Sequence, residues 1–236
     1  MDKNAGLMTT VGQIFTSPTQ AFESIKTQGR AWFPLITIIL STILLMYFYF
    51  SSVDFQWFIE RTVEISDKDL SSAQKEQAIN LYLSIGKDKM MYGMVGSMVI
   101  FLPLLFCLFA LYFLIVSNIR NDNLRFGDAF NIACWSNLVS LVPTLVGFAH
   151  IAISDSSQIS QTLLKGLNIN DLLFNIAPDN IWYSFMTNFD LSYIWISIIS
   201  GLGYKVYAKT SLTTGIIIGF IPFILINGVW ALIILL

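Results

Sequence analysis

Five long apolar runs with charge-free centres constrain this chain more than anything else in it: residues 32–50, 91–116, 129–153, 188–204 and 214–236. A helix needs about 20 apolar residues to cross about 30 Å of hydrocarbon. Inside that layer only helices and closed barrels satisfy every backbone polar group. Continuous apolar runs select helices, so the reading is an all-α polytopic membrane protein. Residues 32–236 form a bundle of five transmembrane helices, and residues 1–31 form a cytoplasmic tail with a short amphipathic interfacial helix at about 17–27. Charged residues make up only 12% of the chain, against roughly 25% in a soluble domain. The fourth run is the weakest, because "FDLSYIWISIISGLGYKVY" is rich in Ser and Gly, and a re-entrant segment is its alternative.

The first run is not read as a secretory leader. It begins after 31 residues, exceeds a typical apolar signal core, and leads into "SSVDFQWF" without a small-x-small cleavage pattern. Orientation follows from Lys and Arg beside the spans. The short second and fourth loops carry Arg120, Arg125, Lys205 and Lys209, and the tail adds Lys3, Lys26 and Arg30. The longer first and third loops hold Arg61, Lys68, Lys75, Lys87, Lys89 and Lys165 among more numerous acids, so the Lys/Arg totals of the two sides are nearly even and the orientation rests on the short loops. This places the N-terminus in the cytoplasm and the C-terminus outside, in a plasma or inner membrane if the source is prokaryotic.

The tail meets the first span through "SPTQAFESIKTQGRAWFP". Ser17 is placed to cap a helix with Pro18 at its first position and Gln20 as the reciprocal partner. Phe15, Pro18, Phe22 and Ile25 share one face. A helix this short is marginal alone, so that face needs a surface. The membrane interface is the expected one, with Arg30 at the headgroups and Trp32 among them; docking beneath the bundle is the rival.

These residues also carry a resemblance. The spacing Ile14-Phe15, Ser17-Pro18, Ala21-Phe22 and Ile25, followed by Trp32, Pro34 and Leu35, resembles the entry of the Yip-domain family, the Ypt-interacting-protein type. "RFGDAFNIACWSNLVSLVPTLVG", with a polar start and Pro143 inside the third span, and "GLGYKVYAKTSLTTGIIIGFI" across the last two are similar to the same family. The resemblance implies five spans and a cytoplasmic N-terminus. For eukaryotic members it implies Rab-type GTPases and the traffic or shaping of internal membranes. The short tail and short cytoplasmic loops here suit prokaryotic-type members instead.

Within the spans, Asn137, Ser140, Thr144 and Gly147 recur at steps of three and four, with Asn131 nearer the cytoplasm. They form either a polar groove or a packing seam. Gly215 and Gly219, continued by Pro222, mark close helix packing. Cys107 and Cys134 lie inside apolar runs with neither metal nor disulfide spacing. No nucleophile elbow or phosphate loop is present. The expectations are no catalytic residues, no metal, no cofactor and no nucleic acid, given a net charge of −2 without a basic cluster. The expected partners are membrane lipids, with a second membrane or peripheral protein and self-association as further options. The leading function is a membrane-organising or partner-binding scaffold. The alternative is a carrier or channel for a lipid or small solute along the third-span stripe.

Overall fold

The computed structural model describes residues 6–66 and 70–236; Lys3 and Lys68 of the charge pattern lie outside the described residues. All regular structure among the described residues is helical. In chain order the helices are α1 (Leu7–Thr16), α2 (Pro18–Gln28), α3 (Trp32–Ser52), α4 (Phe55–Ser66), α5 (Ser72–Ile85) and α6 (Lys87–Arg120). There follow α7 (Phe126–Ser136), a 3₁₀ turn at Asn137–Ser140, α8 (Leu141–Ile153), α9 (Tyr183–Asn188), α10 (Ser192–Ala208) and α11 (Leu212–Leu235). Between α8 and α9 lie a 3₁₀ turn, Gln161–Leu164, and a π turn, Asn170–Phe174.

Four helical stretches among the described residues are long and apolar enough to cross a membrane: Trp32–Ser52, Lys87–Arg120, Phe126–Ile153 and Leu212–Leu235. Only 17% of the apolar window in α6 and 11% in α11 is buried by protein, leaving surfaces that only lipid or another apolar partner covers at low cost. The protein is therefore all-α and polytopic. The expected fourth span, 188–204, corresponds to α10, whose 17 residues reach about 25 Å at 1.5 Å each, the short end of the spanning range. Its Ser and Gly content has a physical cause, since Ser192, Ser197, Ser200, Gly201 and Gly203 are all buried against protein.

The chain divides into two compact units. One takes in the chain up to Ile39, Ile100–Leu141 and Leu191–Leu236; the other takes in Leu40–Val99 and Val142–Asp190.

In the first unit α10 packs on α11 through glycines. A Cβ at Gly215 would lie 2.5 Å from the Gly201 carbonyl oxygen, and one at Gly219 would lie 2.2 Å from that of Ser197. The backbones touch where these residues meet, as small residues permit between membrane helices. The Tyr112 hydroxyl donates to the Ile218 carbonyl at 2.7 Å. α1 and α2 complete this unit's core, with Ile14, Ala21, Phe22 and Ile25 clustered with Trp135, Tyr204 and Tyr207.

In the second unit Tyr49, Phe50 and Phe58 pack edge to face, their centroids 5.5 to 6.1 Å apart. They fasten α4 to the end of α3. The 154–190 stretch closes over this cluster through Ile159, Leu163 and Leu164.

Helix starts separate by backbone geometry. Ser71 (φ −64°, ψ 159°) and Ser211 (φ −68°, ψ 157°) are extended, and their hydroxyls accept from Gln74 and Thr214 amides. Ser17 does not behave as its sequence suggests. Its amide still donates to Gln13 at the end of α1, and ψ 61° gives no side-chain cap. The expected capping box with Gln20 is absent because Ser17 joins two helices, whereas capping needs the extended chain entry.

Candidate functional site

The N-terminal pair α1–α2 is the most elaborated polar and aromatic assembly in the first unit. Phe22 is 0% exposed and Ile25 2%. A Cβ at Gly203 would stand 2.8 Å from the Phe22 ring, so Gly203 forms the seat for that ring. Tyr207 meets Phe22 edge-on at 6.5 Å, and Phe15 meets Trp195 at 5.7 Å. The Lys26 ammonium donates to the Val206 and Tyr207 carbonyls at 3.2 Å each and lies 5.6 Å from the Tyr207 ring centre. It therefore caps the C-terminal end of α10, where a cation is favoured by the helix dipole.

This changes the role expected of the apolar face. Phe22 and Ile25 rest on protein, not lipid, because α10 presents a glycine and two free carbonyls that fit an aromatic ring and an ammonium. Pro18 is half-buried and Arg30 exposed, in a left-handed conformation at φ 68°. Trp32 remains 58% exposed. The outward face of α2 is polar: Gln20, Glu23 and Thr27 are exposed, as is Thr16 at the end of α1.

A second network, unmarked in the sequence, holds the loop after α6 against α10. Tyr204 donates its hydroxyl to Asp122 Oδ2 at 2.7 Å, and Arg120 Nε reaches the same oxygen at 2.8 Å. Arg120 also donates to Thr210 at 3.2 Å. Asn121 and Asn123 both take φ 59°, a left-handed conformation that Asn tolerates better than most residues. The run "NDN" was the available signal, but its partner Tyr204 lies 82 residues away.

The stripe residues fall in both units. Asn131, Asn137 and Ser140 belong to the first unit, Thr144 and Gly147 to the second. The 3₁₀ turn Asn137–Ser140 also breaks the 3.6-residue period that placed them on one face. Pro143 accounts for it, since its missing N–H removes the α-helical bond to Val139. Asn131 and Asn137 donate to their own helix, to the Gly127 and Ala133 carbonyls at 2.9 and 2.8 Å. Gly147 lies against the Leu164 backbone and Leu45. Pro222 falls inside α11. Several buried polar atoms of the first unit have no hydrogen-bond partner: Gln13 Oε1, Asn131 Oδ1, Trp135 Nε1, Ser136 Oγ and Tyr207 Oη.

The second unit holds an open cleft of about 460 Å³ lined by Trp57, Glu60, Arg61, Glu64, Gln158 and Ser160. Arg61 pairs with Glu64 at 2.6 Å. Nearby in sequence, His150 Nδ1 lies 3.1 Å from the Leu163 carbonyl oxygen. No cluster of three His, Cys, Asp or Glu residues capable of holding a metal occurs among the described residues.

A family model described as the Yip1 domain matches residues 12–234, which runs from within α1 to the last turn of α11. No curated protein and no solved structure matches the chain.

Proposed function

From the premise that the chain belongs to the Yip1-domain family, we propose that it is a non-enzymatic membrane scaffold that presents the docked α1–α2 pair to a partner at the cytoplasmic face. One observation supports this most directly. The apolar side of the pair is consumed by α10, with Phe22 on Gly203 and Lys26 on the α10 carbonyls. The pair thus presents a fixed polar surface of Gln20, Glu23 and Thr27. A helix serving only as a lipid anchor keeps its apolar side for lipid.

The reading includes five spans, with α10 as the protein-wrapped fourth, an N-terminus in the cytoplasm and a C-terminus outside. The basic residues Arg120, Arg125, Lys205 and Lys209 then share the side of α1–α2. The partner is a membrane or peripheral protein, a second copy of this chain included. The carrier alternative draws less support, because the Asn131 and Asn137 amides bond to their own helix and the stripe is interrupted at Asn137–Ser140.

Site-specific photo-crosslinking in native membranes tests the scaffold. A crosslinker at Gln20 or Glu23 should give one discrete protein adduct that disappears on Phe22→Glu. Adducts with lipid alone, together with solute or lipid flux in vesicles holding only the purified protein, would replace the scaffold with the carrier.

A further inference from the structure

We infer that the stretch from Ser157 to Phe189 is a re-entrant segment, which dips into the bilayer beside α3 and α8 and presents Leu172, Leu173 and Phe174 to lipid acyl chains. The apolar runs of the sequence gave no hint of it, since the stretch is too polar to be a span.

Two helices of the second unit serve as rulers. Along α3, the Asp54 amide donates to Ser157 at 2.8 Å, and the Tyr49 hydroxyl donates to the Ile159 carbonyl at 2.9 Å. Farther from the α3 end, Leu45 and Leu164 both abut Gly147. Along α8 the order repeats. Leu163 lies at His150, Leu164 at Gly147, and Gly166 at Val146 and Pro143, where its Cβ would stand 2.5 Å from Val146 Cβ and 2.7 Å from the Pro143 oxygen. At 1.5 Å per residue, Leu45 is about 10 Å inside the end of α3, and Pro143 is about 15 Å inside the end of α8. Both helices end candidate spans, in a hydrocarbon layer about 30 Å thick. A chain that has followed them to Gly166 is below the surface, not above it.

The second argument is independent of depth. Irregular backbone within a membrane must find its hydrogen bonds in the protein, and this stretch does so with buried side chains. Asn168 donates to the Thr162 and Lys165 carbonyls and to Asp171. Asn170 exchanges two bonds with Ile176, closing the π turn. Asp190 accepts from the Leu167 amide, and the Ile169 amide donates to Phe189. Lys165, the one cation of the stretch among the described residues, is itself exposed and donates to Asn188. Against this satisfied interior, Leu172, Leu173 and Phe174 stand outward at 47%, 68% and 53% exposure. A turn in water has no reason to hold three large apolar side chains outside and three amide or carboxylate groups inside.

The test uses single cysteines at Leu172, Leu173, Phe174 and, as a control, Asp155, in a full-length chain with Cys107 and Cys134 replaced by serine. Each is labelled with an environment-sensitive fluorophore and reconstituted in phosphatidylcholine vesicles carrying nitroxides at the headgroup or in mid-chain. Monodisperse elution selects folded variants, and the three sites are all exposed, so one unfolded variant leaves two. The expected result is blue-shifted emission at the three sites, quenched more by the mid-chain nitroxide than by the headgroup one, with Asp155 water-like. Iodide quenching at Leu172 to Phe174, or stronger headgroup quenching, would overturn the inference by placing the turn on the surface. Shielding from iodide and both nitroxides would overturn it by placing protein, such as a second copy, over the turn.

Discussion

Replacing both Phe22 and Ile25 by Glu should detach α1–α2 from α10 while leaving the spans inserted. Both side chains are essentially inaccessible, and fully burying each is worth about 1.5–3 kcal/mol, or about 3–6 kcal/mol for the pair. Buried carboxylates add a desolvation penalty of several kcal/mol, and the substitutions also remove the packing beneath Lys26. Even a loss of about 4 kcal/mol multiplies the detached population roughly a thousandfold. Helices as short as α1 and α2 are marginal when isolated, so the detached segment also frays. Limited trypsin digestion from the side carrying the tail reads this out at Lys26 and Arg30. The parent should resist, with Lys26 held on the Val206 and Tyr207 carbonyls, and the variant should be cut rapidly at both. Gly203→Ala should move in the same direction but less, since the Phe22 ring sits where the new methyl goes and overpacking costs about 1–3 kcal/mol. Equal cleavage of parent and double variant would refute the reasoning, because the packing would then contribute nothing to holding the segment.

Gly219→Leu should separate α10 from α11 and lower thermal stability in detergent by more than Gly228→Leu, which adds its side chain in open space. Tyr204→Phe should cost about 1.5–3 kcal/mol, the range for a hydrogen bond to a charged group. A double-mutant cycle with Asp122→Asn should show the two effects to be non-additive. Membrane-impermeant thiol reagents applied outside intact cells should label a cysteine at Asp155 and not one at Asn123; the reverse pattern would invert the proposed topology.

How far the sequence could be read depended on the range of each interaction. The apolar runs around α3, α6, α7–α8 and α11 are local signals and mark where these helices lie. The cap at Ser71 is equally local, with its partner Gln74 three residues away. The start of α2 was visible from Pro18, but the same logic failed at Ser17, because α1 continues to it and removes the extended entry that a cap requires. Helix α4 was hidden inside what reads as a loop. The seat for Phe22 was not visible: Gly203 is 181 positions away and looks like any glycine in a weak span. The Lys26 bonds to the end of α10 are equally distant. The stripe shows the opposite error, a periodicity extended across Pro143 where the helix changes its winding. Orphaned polar atoms such as Trp135 Nε1 have no sequence signature at all.

That α1–α2 is a folded part of its unit, and not a helix lying free on the membrane, is tested most directly by a distance between spin labels on Glu23 and Lys209, read by dipolar spectroscopy in bilayers. The account predicts one narrow distribution, unchanged between neutral and anionic lipid, which broadens on Phe22→Glu. A broad distribution in the parent, or one that moves with lipid charge, would contradict it.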